Sequence, residues 1–122
     1  MNDFLTKYFE NIFYSGNDDD FDLTLPFRFF NAESNVTLHL KKHETGYYEV
    51  DDKGATLQYL SNLDVDVNDY NDKIEIICQM FSVKIEDDLV KGIVGYGTNQ
   101  TYKQLHNYLQ AISQLSTIKF FD

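Results

Sequence analysis

Residues 36–60 read VTLHLKKHETGYYEVDDKGATLQYL, and the fold turns on how this stretch changes period. Val36, Leu38 and Leu40 alternate with Thr37, His39 and Lys41, the pattern of a strand with one buried face. His43-Glu44-Thr45-Gly46 is a turn, and Tyr47 to Asp51 returns as a second strand, so the pair reads as a hairpin. Asp51-Asp52-Lys53-Gly54 is another turn. After it, Leu57, Leu60 and Leu63 recur at helical spacing and predict a short helix over 56–63.

Working outward, Phe21, Leu23, Leu25, Phe27 and Phe29 alternate with Asp22, Thr24, Pro26 and Arg28 and predict an earlier strand. Pro26 has no N–H to give, which places that strand at a sheet edge or gives it an irregular start. Before it, Phe4, Leu5, Tyr8, Phe9, Ile12 and Phe13 form a helical stripe capped by Asn2 or Asp3. Ser15-Gly16-Asn17 stops that helix, and Asp18-Asp19-Asp20 is an exposed turn. On the other side, residues 64 to 68 are irregular. Tyr70, Ile74, Ile77, Cys78 and Phe81 line one face of a helix that starts near Asp69, is capped by Asn68 or Asp69, and ends at Ser82. Val83 to Ile85 and Leu89 to Val94 are candidate strands around the turn Glu86-Asp87-Asp88. Gly95-Tyr96-Gly97 breaks the chain. Thr98 or Asn99 then caps a last helix whose stripe is Tyr102, Leu105, Tyr108, Leu109, Ile112, Leu115 and Ile118. The reading is one α+β domain over 1–122: a small antiparallel sheet of four to five strands against three to four helices. Residues 1–45 supply the first helix and strands, and 46–122 supply the rest.

Composition narrows the function classes. The chain has 122 residues, 43% of them hydrophobic, so it builds a core without metal or disulfide staples. It carries 10 Lys+Arg against 20 Asp+Glu, a formal net charge of -10, and Arg28 is its one arginine. Such a chain is a poor binder of nucleic-acid phosphates. One cysteine, Cys78, excludes an internal disulfide or a cysteine zinc site. No apolar run approaches a membrane span, and the start lacks the basic residues of a signal peptide, so a cytoplasmic protein is expected. The acid is uneven. Residues 44–88 hold 12 acids and 3 lysines, whereas 99–122 hold Lys103, Lys119 and Asp122.

Few constellations carry chemistry. Asp64, Asp66, Asn68, Asp72 and Glu75 fall at positions 1, 3, 5, 9 and 12 of a calcium-loop template. However, Asp69 stands where the template needs Gly, and Asn71 where it needs an apolar residue. Helix capping explains the same residues. His39 and His43, four apart at a strand end, would need a third ligand such as Asp51 or Glu49 to hold a metal. Exposed hairpin histidines are the simpler reading, and His106 reads as a structural residue at the rim of the last helix's stripe. Cys78 shares the face of Ile74, Ile77 and Phe81 and reads as a core hydrophobe rather than a thiol partner of His106. The pairs Asp19/Asp22, Asp51/Asp52 and Asp87/Asp88 fit turn chemistry. Gly92, Gly95 and Gly97 lack the Lys-Ser/Thr of a phosphate loop.

The stretch from Tyr48 to Leu60 resembles the central motif of the domain of unknown function 1828 family: a strand, an Asp-x-Gly turn, then Thr-apolar-x-x-Leu opening a short helix. Phe81-Ser82-Val83 is similar to the family's helix-to-strand junction, and His106-Asn107-Tyr108-Leu109-Gln110-Ala111 to its C-terminal helix motif. Residues 1–45 match only through Pro26-Phe27, and Lys53 and Tyr59 stand where the family often has acids. The resemblance implies an α+β fold, a setting in Gram-positive bacteria and their phages, and Asp52, Gly54, Thr56, His106, Asn107 and Gln110 as motif residues. It assigns no reaction and no cofactor.

Three functions follow as expectations. The first is a non-catalytic acidic protein-binding protein of a bacterial cell, of phage or prophage type. One form of it is a DNA mimic that occupies the basic groove of a defence nuclease such as a CRISPR or restriction enzyme. Its contact residues would be Asp18, Asp19, Asp20, Asp22, Asp64, Asp66, Asp69, Asp72, Glu86, Asp87 and Asp88. The second is a metal-dependent hydrolase using Asp51 or Asp52 with His39 or His106. The third is a homodimer through the last helix and Phe120-Phe121. The first rests on a body that brings no reacting groups together; a histidine and two aspartates around one solvent-lined hollow would overturn that premise.

Overall fold

Alternation across the hairpin sends Leu38, Leu40, Tyr48 and Val50 to one face, where all four are fully buried. The computed structural model describes residues 13–95 and 99–120. Its strands are β1 (Phe13–Asn17), β2 (Asp20–Thr24), β3 (Thr37–Lys42), β4 (Tyr48–Asp51), β5 (Lys84–Glu86) and β6 (Leu89–Val94). They form one sheet in the order β1-β2-β3-β4-β6-β5, with every neighbouring pair antiparallel. The helices are α1 (Ala55–Asn62), α2 (Asn71–Phe81) and α3 (Asn99–Ser116), with 3-10 turns at Val67–Tyr70 and Ile118–Phe120. Leu105, Tyr108, Ile112 and Leu115 of α3 share one core with Phe21, Leu23, Leu38, Leu40, Val50 and Val90. Gly92 of β6 leaves the room that this packing needs, because a Cβ there would lie 3.0 Å from the Tyr108 ring. The opposite face carries Ser15, Asp22, Thr37, His39, Glu49, Asp51 and Lys91, all half-buried or exposed.

The α+β class is as the pattern predicts, but the sheet has six strands rather than four or five. The extra one is β1, which the helical stripe and its stop signal had hidden. Phe13 belongs to β1 and pairs with Thr24, and Gly16 pairs with Phe21. The Asn17 side chain accepts the N–H groups of Asp19 and Asp20 and closes the hairpin. Gly16 has φ +125°, and a Cβ there would meet the Asp20 carbonyl oxygen at 2.5 Å, so the position requires glycine. Hairpin pairing with β2 overrides the 3.6 period. The rest of the expected N-terminal helix, Phe4 to Ile12, lies outside the described residues, as does Thr98. Pro26 does not mark an edge: β2 lies between β1 and β3 and ends at Thr24. Leu25 donates its N–H to Val36, and Phe27 accepts from Val36, so the chain bridges across the missing donor. Asn68 and Asp69 are not the cap expected before α2. Tyr70 holds that position without a side-chain hydrogen bond, and Asp66 instead caps the 3-10 turn before it by accepting the Asn68 N–H.

The joint between sheet and helices is Asp52, which is fully buried. One carboxylate oxygen accepts the N–H of Gly54 at 3.0 Å and of Val90 at 3.2 Å, and the other accepts the N–H of Thr56 at 3.0 Å. One side chain thus ties the end of β4, the first turn of α1 and the start of β6. Buried N–H groups left without an acceptor each cost free energy. Asp52→Ala is therefore expected to destabilise the fold by roughly 2–4 kcal/mol, and Asp52→Asn, which keeps one acceptor, by less. Urea unfolding of both variants measures the order.

Candidate functional site

Antiparallel register places the open face's residues in rungs. Ser15 lies opposite Asp22, Asp22 opposite His39, His39 opposite Asp51, Asp51 opposite Lys91, and Lys91 opposite Lys84. One polar rung therefore crosses all six strands. Residues of one strand share a face at even spacing, so Asp20 stands beside Asp22 on the same side of β2.

The centre of the rung is His39, on β3. Its Nε2 lies 2.6 Å from Asp20 Oδ1, and its Nδ1 lies 3.1 Å from Asp51 Oδ2. Lys53 and Gly54 adopt consecutive left-handed conformations, with φ 56° and 81°. That turn carries the Lys53 side chain back over the sheet, where its Nζ donates to Asp22 Oδ2 at 2.7 Å. The Lys53 backbone N–H donates to Asp51 Oδ1 at 2.8 Å, so Asp51 is fixed from both sides. Ser15, Asp20, Asp22, His39, Asp51 and Lys53 line an open hollow of about 600 Å³. Beyond it, Lys91 Nζ lies 3.1 Å from Glu86 and 3.9 Å from Glu49.

The electrostatics follow from these contacts. Partial burial works against charge on His39, but the hydrogen bonds and charges of Asp20 and Asp51 outweigh it and hold the imidazole above its ordinary value. With both ring nitrogens protonated, His39 donates to both carboxylates. The hydrogen bond to Asp22 likewise raises Lys53, and the one to Glu86 raises Lys91.

The premise that no reacting groups meet is therefore overturned: His39, Asp20 and Asp51 surround one solvent-lined hollow. The chemistry open to them is narrow. Ser15 is two strands from His39, roughly 10 Å at the usual strand spacing, and Asp22 stands between them. That is too far for His39 to take a proton from the hydroxyl. Asp20 and Asp51 hold opposite ring nitrogens, so they do not converge on one point. Among the described residues, no three His, Cys, Asp or Glu groups are placed to hold a metal ion.

The other expected site residues are dispersed. His106 sits exposed on α3, stacked on Tyr102 and 3.4 Å from the Gln110 amide. That helix covers the face of the sheet opposite Asp51, and the Asp52 oxygens are taken up by backbone N–H groups, so His106 joins neither. Asn107 donates to the Phe81 carbonyl and ties α3 to the end of α2. Asp52, Gly54 and Thr56 form the buried joint. Cys78 packs at the edge of the core, where burial pushes its thiol up. His43 stacks on Tyr47, at 4.5 Å between ring centres, and meets Glu49 at 3.4 Å. Asp87 and Asp88, both with positive φ, form the two-residue turn between β5 and β6, a position where Asp and Asn are favoured. Asp18 and Asp19 occupy the turn between β1 and β2, at the opposite end and edge of the sheet. Asp64, Asp66 and Asp69 lie on the segment leading into α2, and Asp72 and Glu75 stand on α2 itself. The acids thus form separate groups. Of those expected to bind a partner, only Asp20 and Asp22 reach the hollow. Pairing of His39 with Asp51 was legible from the hairpin, but their meeting with Asp20, Asp22 and Lys53 needed the β2–β3 register.

The fold and site define an acidic α+β domain with helices on one face of the sheet and a charged hollow on the other. A model of the family described as Domain of unknown function DUF1828 matches residues 25–115, and the chain belongs to that family. No curated protein and no solved structure matches it. Among the described residues, no helix is long and apolar enough to cross a membrane.

Because His39 is raised in the folded state, the stability it contributes is complete below its unfolded value of about 6.5 and fades as pH rises through the folded value. His39→Gln is expected to remove this dependence. Urea midpoints of the two proteins should diverge most at acid pH and converge once the pH has passed the folded value. An NMR titration of the His39 ring should give a midpoint above 6.5.

Proposed function

We propose that this chain, although its hollow gathers a histidine and two aspartates, is a non-catalytic binding protein that docks its acidic surface on a basic partner. The observation that carries this reading is the double engagement of His39. With a carboxylate on each ring nitrogen, the histidine of the hollow is engaged on both sides and is not a free acid or base. The net charge of -10 and the acidic turns at opposite ends of the open face supply the attraction. In its specific form, the protein is carried by a phage or prophage, and its carboxylates stand in for phosphates in the groove of a bacterial defence nuclease.

Capture of basic nucleic-acid-handling enzymes on the immobilised protein tests it. Binding is expected to weaken steeply as salt rises and to fall further when Asp18, Asp19, Glu86 and Asp87 are changed to their amides. Capture that ignores both salt and these changes contradicts the proposal.

The meeting of His39 with Asp20 and Asp51 favours a second reading, a hydrolase. Turnover of a phosphoester or ester substrate that disappears in His39→Gln and Asp51→Asn would establish it and displace the first.

A further inference from the structure

The helical side of the molecule holds a feature that the charged face does not explain. Between α2 and the end of α3 runs a groove of about 400 Å³ lined by Lys73, Ile76, Ile77, Met80, Gln114 and Ile118. Ile76 and Met80, one helical turn apart on α2, are 58% and 63% exposed, and Phe120, two residues beyond Ile118, is 64% exposed. Large apolar side chains left this open together mark an interaction surface.

Charge narrows what can cover it. From Asn99 to Phe120 the chain has no carboxylate and carries Lys103 and Lys119. Lys73 is the charged residue of the groove's lining, and the acids of α2, Asp72 and Glu75, are not part of that lining. On a chain of net charge -10, this is where a second equally acidic body approaches without facing a row of carboxylates. Shape points the same way. A two-fold interface presents one patch to itself, so hollow and projections must lie side by side on it. Here the groove and the projecting Ile76 and Met80 do.

We propose that the groove is the contact face of a homodimer, with Ile76 and Met80 of each copy seated in the groove of the other. This leaves the open sheet face and its acidic turns outward on both copies.

Sedimentation or light scattering across a wide concentration range tests the proposal. The mass is expected to rise from the 14.3 kDa of one chain towards twice that value. Ile76→Asp with Met80→Asp should weaken association at least ~100-fold, because each copy would bury unpaired carboxylates. Both side chains are exposed, so the thermal melt of the isolated chain should stay unchanged. Ile93→Asp, an exposed apolar position on the open sheet face, should dimerise like the parent chain. A monomer at every concentration overturns the proposal. So does an association that Ile93→Asp abolishes, or one that the α2 changes leave intact.

Discussion

A carboxylate shut away from water holds this molecule together at the point where strand gives way to helix. Asp52 accepts three backbone N–H groups, from the turn, from α1 and from β6. It aligns the inner strand of the hairpin with a strand nearly forty residues further on. Its neighbour inherits that alignment. Alternation turns Asp52 inward and Asp51 outward, so fixing the first fixes where the second meets His39. The charged hollow is thus positioned by a buried bond network one residue away.

The hollow itself is an ordered lattice of opposite charges. Carboxylates of Asp20, Asp22 and Asp51 alternate with the cations of His39 and Lys53, each contact made at hydrogen-bond distance. Such a lattice is stiff, because moving any one group leaves another without its partner. Stiffness suits recognition, in which a surface keeps its shape while a partner arrives. It suits proton transfer less, since a relay needs a nitrogen that is free in one protonation state.

Much of this was legible in the sequence. The hairpin from Val36 to Asp51, the helix after Gly54, the helix ending at Ser82 and the long last helix each have periods that survive folding, because the same face is buried along the whole element. The missing parts were those set by pairing and register between strands. Phe13 satisfies a helical stripe and a strand equally well, and only pairing with Thr24 decides. Asp22 and His39 are seventeen residues apart, and nothing local aligns them; β2–β3 register does. Lys53 reads as a turn residue in the sequence. Two left-handed residues in succession make it a member of the hollow as well.

The two faces of the sheet also have separate fates under mutation. Every second residue belongs to the packed layer and every other one to the charged layer, so a change in one set leaves the other's neighbours untouched. A lineage can rewrite what the outer lattice displays, carboxylate by carboxylate, while the hydrophobic interior keeps its shape. The sheet is in that sense a fixed board with exchangeable pieces.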